Sequence, residues 1–323
     1  MKVLAGIDIG GTKCAISFAT AAGDEVTIHK KEVFETLKDE PQRAVRHFQE
    51  RIGQMLLENP QWDLQAIGIS CGGPLDSRKG LILSPPNLPA WDRIDCITPL
   101  KETFRVPVGL QNDADACALA EWNWGAGKGT ENMIFLTFGT GMGAGLILDG
   151  KLYLGAGNMA GEVGHIRMEE DGPYGYGKYG SFEGFCSGGG IADMGRCMAE
   201  AAIDRGTPPF FCKDKESLKT VTAKTIADAL DAGDGLAREI YLKTAYYLGR
   251  GISLLIDILN PEMIVIGSIY GRQQELLERE IRRVIEKEAL PFSAKLCRIV
   301  PAGLGEMVGD YASISVARSV SFS

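Results

Sequence analysis

Residues 4–13 read LAGIDIGGTK, and the folding of this stretch decides the fold of the chain. Residues 3–9 form a short run rich in branched side chains, and residues 14–18 alternate small and apolar ones, so the pair reads as strand, tight turn, strand. The turn holds an acid, two glycines, a threonine and a lysine. Without a Cβ, Gly10 and Gly11 let successive backbone N–H groups approach an anion. Thr12 offers a hydroxyl, Lys13 a cation, and Asp8 an anchor for a magnesium ion or its waters. The same residues also make a plain hairpin, because glycine pairs mark turns in many settings.

The grammar of that stretch returns later in the chain. Residues 132–138 are apolar and strand-like, GTGMGAG follows at 139–145, residues 146–148 resume the apolar run, and Asp149-Gly150 is a hairpin signal before 152–154. About half of the 41 glycines fall between 125 and 195, interleaved with strands rather than gathered in a linker. The repeated strand, glycine turn, strand pattern predicts two related halves facing one cleft. Two such turns can grip a polyphosphate from both sides, which favours a phosphate cradle over a hairpin alone. The P-loop pattern does not occur. Gly139-x-Gly141-x-x-Ala144 fits the loose dinucleotide fingerprint, but that fingerprint needs a helix where residues 146–154 read as a hairpin, so hydride transfer is excluded.

Between the two turns, residues 41–57 read as a helix, 66–70 as a strand ending in CGGPLD, and 106–110 as a strand ending in QND, with a Pro-rich loop between them. Further on, 227–230, 236–259 and 276–285 read as helices and 263–266 as a buried strand. Helices alternating with short strands make this an α/β protein, with ligands expected where strand ends meet helices. The chain has 323 residues, 45% of them hydrophobic, which suffices for two domains. A formal net charge of -8 and the lack of a basic run argue against nucleic acid as a partner. No membrane-spanning run or leader segment is found, so a cytoplasmic protein is expected. The eight cysteines are scattered singly and suit reduced thiols better than a disulfide framework.

Three motifs carry candidate chemistry. In QNDADACALAEW, Asn112 and Asp113 can cap a helix, or Asp113 can serve at a strand end as a carboxylate that takes a proton from a substrate hydroxyl while Asn112 orients the substrate. In AGEVGHIRM, Glu162 and His165 lie three apart, and His165 is one of three histidines in the chain. In GYGKYGSFEGFCSGGGI, Glu183 adds an acceptor just before a helix that starts near Ser187. Two carboxylates, an amide and an imidazole match a polyhydroxylated ligand, each of whose hydroxyls needs a partner when buried.

Taken together, DIGGTK, GISCGGPLD, NLPAW, QNDADACALAE, FGTGMGAG and GEVGH resemble, in order, the ROK family of sugar kinases and repressors within the actin-like ATPase and hexokinase superfamily. The likeness runs through essentially the whole chain. It implies a duplicated two-domain actin-like ATPase (ribonuclease H-like) fold with a cleft between domains, about 1–115 and 116–304, with a C-terminal helix near 305–323 packing back on the first. It implies ATP and Mg2+, a homodimer, and Asp113 as catalytic base. Gly73, Asn87, Asn112, Glu162, His165 and Glu183 would contact the sugar. Gly10, Gly11, Thr12, Lys13, Gly139, Thr140, Gly141 and, on the adenosine side, Gly267 would contact the nucleotide, and Asp8 would place magnesium indirectly. Glucose is the first expected substrate, with N-acetylmannosamine, another N-acetylhexosamine, fructose or allose behind it. A sugar-responsive regulator is the non-enzymatic alternative, although the phosphate motif already begins at Asp8, ahead of which the DNA reader of the family's repressors would have to lie. A catalytically dead sugar-binding protein is a further alternative.

Two departures stand out. Family members carry C-G-C-G-x-x-G-C-[LM]-E, whose cysteines join the histidine of E-x-G-H around a structural zinc. Here the stretch is YGYGKYGSFE, with Tyr174, Tyr176 and Ser181 at the thiolate positions. A structural zinc needs about four N or S ligands, and only His165 remains, so no structural zinc is expected. After the late strand the family's double glycine is reduced to Gly267 followed by Ser268.

Overall fold

The computed structural model describes residues 1–321 and divides the chain into two compact units, one of residues 1–131, 145–160 and 303–321, the other of 132–144 and 161–302. The first is built on a five-stranded sheet in the spatial order Glu25–Glu35, Lys13–Ala22, Lys2–Ile9, Asp63–Cys71, Val108–Asn112. The first three strands are antiparallel, and the last two run parallel to Lys2–Ile9.

Side chains alternate across a strand, and here the alternation assigns each face a helix. Val3, Ala5, Ile7 and Ile9 join Ala44, Val45, Phe48 and Ile52 of helix Pro41–Glu58 in one buried cluster. Leu4 belongs to a second cluster with Ile314 and Ala317 of helix Val308–Ser321. That helix lies so close to the sheet that a Cβ on Gly68 would stand 2.1 Å from the carbonyl oxygen of Ser313, so only glycine fits there. Asp8 follows Leu4 and Gly6 on this second face, at the end of its strand.

The sequence expects the first crossing between units near residue 115, but it falls at 131–132. Helix Asp113–Trp124 stays with the first unit because it packs on the C-terminal helix, where Ser315 Oγ donates to Ala116 O at 3.0 Å. Buried Glu121 fixes the last re-entry of the chain by accepting the N–H groups of Ala126, Gly303 and Leu304 at 2.8, 3.0 and 2.9 Å.

The second unit centres on parallel strands Met133–Phe138, Met263–Ile266 and Arg298–Pro301. Helices Gly188–Asp204, Ala223–Asp231, Gly235–Leu259 and Gln274–Glu288 belong to it. Among the described residues no helix is long and apolar enough to cross a membrane, and all eight cysteines are free.

Candidate active site

In the first unit the site is built from strand ends. Ile9 pairs with Cys71 and Cys71 with Asn112, so three neighbouring parallel strands finish at one level. Past Ile9 the chain turns tightly: Gly10 N donates to Lys13 O at 3.0 Å, and Thr36 Oγ1 donates to Gly10 O at 2.6 Å. Gly11 lies against Asn87, whose Cβ would stand 2.6 Å from a Cβ placed on the glycine, so Asn87 is brought to the turn. Thr12 and Lys13 are exposed. Gly73 follows strand Asp63–Cys71 in the loop beyond it.

Asn112 and Asp113 do the capping work the sequence allows. Asn112 Oδ1 accepts the N–H of Asp115 at 2.7 Å, satisfying one of the open donors of the helix. Asp113, the first helical residue, accepts the N–H of Ala114 at 2.8 Å and is exposed. Its charge also reaches Asp8. Burial first, then the carboxylates of Asp113 and Asp310, push Asp8 up to about 6, against the opposing pull of Lys31. Acids crowded so that one is raised to about 6 repel one another, and a divalent cation would relieve that repulsion.

In the second unit the turn Gly139–Gly141 is secured from a helix start. Gly188 N donates to Gly139 O at 2.7 Å and Gly189 N to Thr140 O at 3.4 Å, both from the first residues of helix Gly188–Asp204, which Ser187 caps. Beside the turn lies a cavity of about 900 Å³ lined by Gly139, Thr140, Thr222, Lys224, Ser268 and Arg272, among others. Gly267 is buried and donates its N–H to Leu136 O at 3.0 Å, so Ser268, with φ +51°, reaches the cavity in its place. Thr222 and Lys224 were not singled out from sequence, and Ser268 only as a departure from the double glycine. Their positions are fixed by the packing of helices distant along the chain, and only the unusual Ser after Gly267 gave a signal.

Glu162, His165 and Glu183 do come together. Glu183 accepts the N–H of Met142 and that of Tyr176, each at 3.0 Å, on its two oxygens. Glu162 accepts the hydroxyl of Tyr176. The Tyr176 ring stands edge-on to His165 with centroids 5.2 Å apart, and Lys178 Nζ lies 3.4 Å from His165 Nδ1. At the other two thiolate positions, Ser181 Oγ donates to Gly175 O at 2.7 Å and caps a short helix, and Tyr174 packs on Tyr179. An ammonium beside the one imidazole, and hydroxyls already committed to protein partners, do not fit a zinc ion. Among the described residues no group of three or more His, Cys, Asp or Glu is arranged to hold a metal.

With this geometry in hand, known proteins can be compared. A family model described as "ROK family" matches residues 4–317. The glucokinase of Halalkalibacterium halodurans is 32% identical over 308 residues, covering 94% of this chain and 91% of that protein. The xylose repressor of Caldicellulosiruptor bescii is 28% identical over 88% of this chain and 70% of its own length. The structure of a ROK family glucokinase from Streptomyces griseus, in complex with glucose and AMPPNP, superposes with a TM-score of 0.75 at 26% identity over 98% of this chain and 99% of that one.

Proposed function

The chain belongs to the ROK family, and from that premise we propose that it is an ATP-dependent hexose kinase carrying the γ-phosphoryl group of ATP to a sugar hydroxyl, with O6 of glucose as the first candidate. The observation that carries the reading is the placement of Asp8 and Asp113 at strand ends that finish at one level in the first unit, where their charges couple. The glucokinase relative and the glucose and AMPPNP complex of the Streptomyces griseus protein support the same reading.

Asp113 takes the proton from the attacking hydroxyl. In the first unit, Asn112, Asn87 and Gly73 are the proposed sugar contacts alongside Asp113; in the second, Glu162, His165 and Glu183 are the proposed acceptors of sugar hydroxyls. The proposed phosphate donors are, in the first unit, the backbone N–H groups of Gly10 and Gly11 with Thr12 and Lys13, and, in the second, those of Gly139–Gly141 with Thr140. The 900 Å³ cavity has the size for a nucleoside. Asp8 would hold magnesium through water, and the ion would neutralise charge on the transferred group. A coupled ADP-release assay across hexoses and N-acetylhexosamines tests the reading. Turnover with at least one hexose is expected, and silence across the panel removes the kinase.

A further inference from the structure

One residue of the loop 174–183 touches both candidate sugar acids. Tyr176 has φ +52°, a conformation that is costly for a bulky side chain and persists where its surroundings hold it. From this position its backbone N–H donates to Glu183 Oε1 at 3.0 Å, and its hydroxyl donates to Glu162 Oε2. Met142 N holds the other oxygen of Glu183, also at 3.0 Å. An ionised carboxylate has about four lone-pair positions, so these donors occupy part of each acid and leave acceptor capacity with a set direction.

We propose that Tyr176 is a substrate-positioning residue that fixes Glu162 and Glu183 as a matched pair of acceptors for hydroxyls of the sugar. Hydrogen bonds do here what a metal cross-link would do in a loop bearing thiolates. Burial first, then the bond to Glu162 and the charge of Glu183, push the phenol well above its ordinary range, so it stays a donor at any working pH. The proposal rests on the sugar-kinase reading for the identity of the ligand but not for the reaction.

Tyr176→Phe removes the hydroxyl and keeps the ring. Sugar affinity by calorimetry without ATP, and sugar KM in the ADP-release assay, should weaken about tenfold, the usual scale for losing one hydrogen bond to a charged group. The KM for ATP and kcat should stay within about threefold. In a Glu162→Ala background the same substitution should change sugar affinity little, because the acceptor of its hydroxyl is gone. Should the Phe variant melt early, Tyr176→His and Tyr176→Gln retain a donor and should recover part of the affinity. Unchanged or tighter sugar binding in the Phe variant, an equal loss in the Glu162→Ala background, or no sugar bound by the parent protein overturns the proposal. A parent that binds sugar but never consumes ATP overturns the kinase reading alone and leaves the Tyr176 effect measurable.

Discussion

Asp113 and Glu183 occupy nearly equivalent places on their helices and are proposed for opposite uses. Asp113 is the first residue of the twelve-residue helix Asp113–Trp124, Glu183 the second of the four-residue helix Phe182–Phe185. Both feel the favourable end of a helix. Asp113 is exposed and takes the N–H of its own neighbour. Glu183 is half-buried and has an N–H from elsewhere in the unit on each oxygen. Both acids sit at a helix start, and the surroundings set them apart: one is open to solvent, the other has its oxygens already engaged by backbone donors.

The sharpest way to break that contrast is to remove each charge separately. Asp113→Asn should lower kcat about 10²- to 10⁴-fold, the usual loss for a general base, with sugar KM within a few-fold. Glu183→Gln should instead raise sugar KM about 10- to 100-fold, with a smaller effect on kcat, since its role is uniform binding. Steady-state ADP release gives both numbers. If the two variants exchange signatures, or folded Asp113→Asn turns over normally, the division of labour is wrong.

The two acids also differ in how far the sequence betrays them. Asp113 sits in a contiguous motif whose strand, cap and helix are all local, and the cap forms as the pattern dictates. LAGIDIGGTK is legible for the same reason. Glu183 was identified as an acceptor, but its support was not, because Tyr176 meets Glu162 only after a loop whose paired strands are two residues each has closed. The edge strand Glu25–Glu35 was missed on other grounds. Five of its eleven residues are Lys or Glu, and none is fully buried. Such charge protects a sheet edge from pairing with another chain and removes the apolar signal by which a strand is read.

A smaller effect tests how the Glu183 loop is held. If Tyr176 and Ser181 organise it, purified protein should hold well under one equivalent of zinc by elemental analysis, and a chelator should leave its melting temperature within about 1 °C, whereas a structural zinc contributes folding free energy directly. A clear drop in melting temperature on chelation would restore a metal and leave the tyrosine a bystander.

The first-unit acids have a signature in stability as well as in rate. Folding raises Asp8 from 3.8 to about 6, so across that window the folded chain binds more protons than the unfolded one, and stability falls as pH rises. Above about pH 6 the penalty is fully present, and below about pH 4 it is gone. Allowing for solvent at a half-buried group, it is on the order of 1–2 kcal/mol, or a few degrees of melting temperature. Asn at this position imitates the protonated acid. Asp8→Asn should therefore melt a few degrees above the parent at pH 8 without magnesium, match it near pH 4, and lose phosphoryl transfer. That is the exchange of stability for function expected where like charges are held together for a ligand. Glu183→Gln, whose carboxylate already has its donors, should show no such gain at pH 8 and should lose stability there instead. Calorimetry of both variants from pH 4 to 8 decides the matter: an Asp8→Asn offset that does not vary with pH, or a gain in Glu183→Gln, would mean that the two regions do not differ in the way the geometry describes.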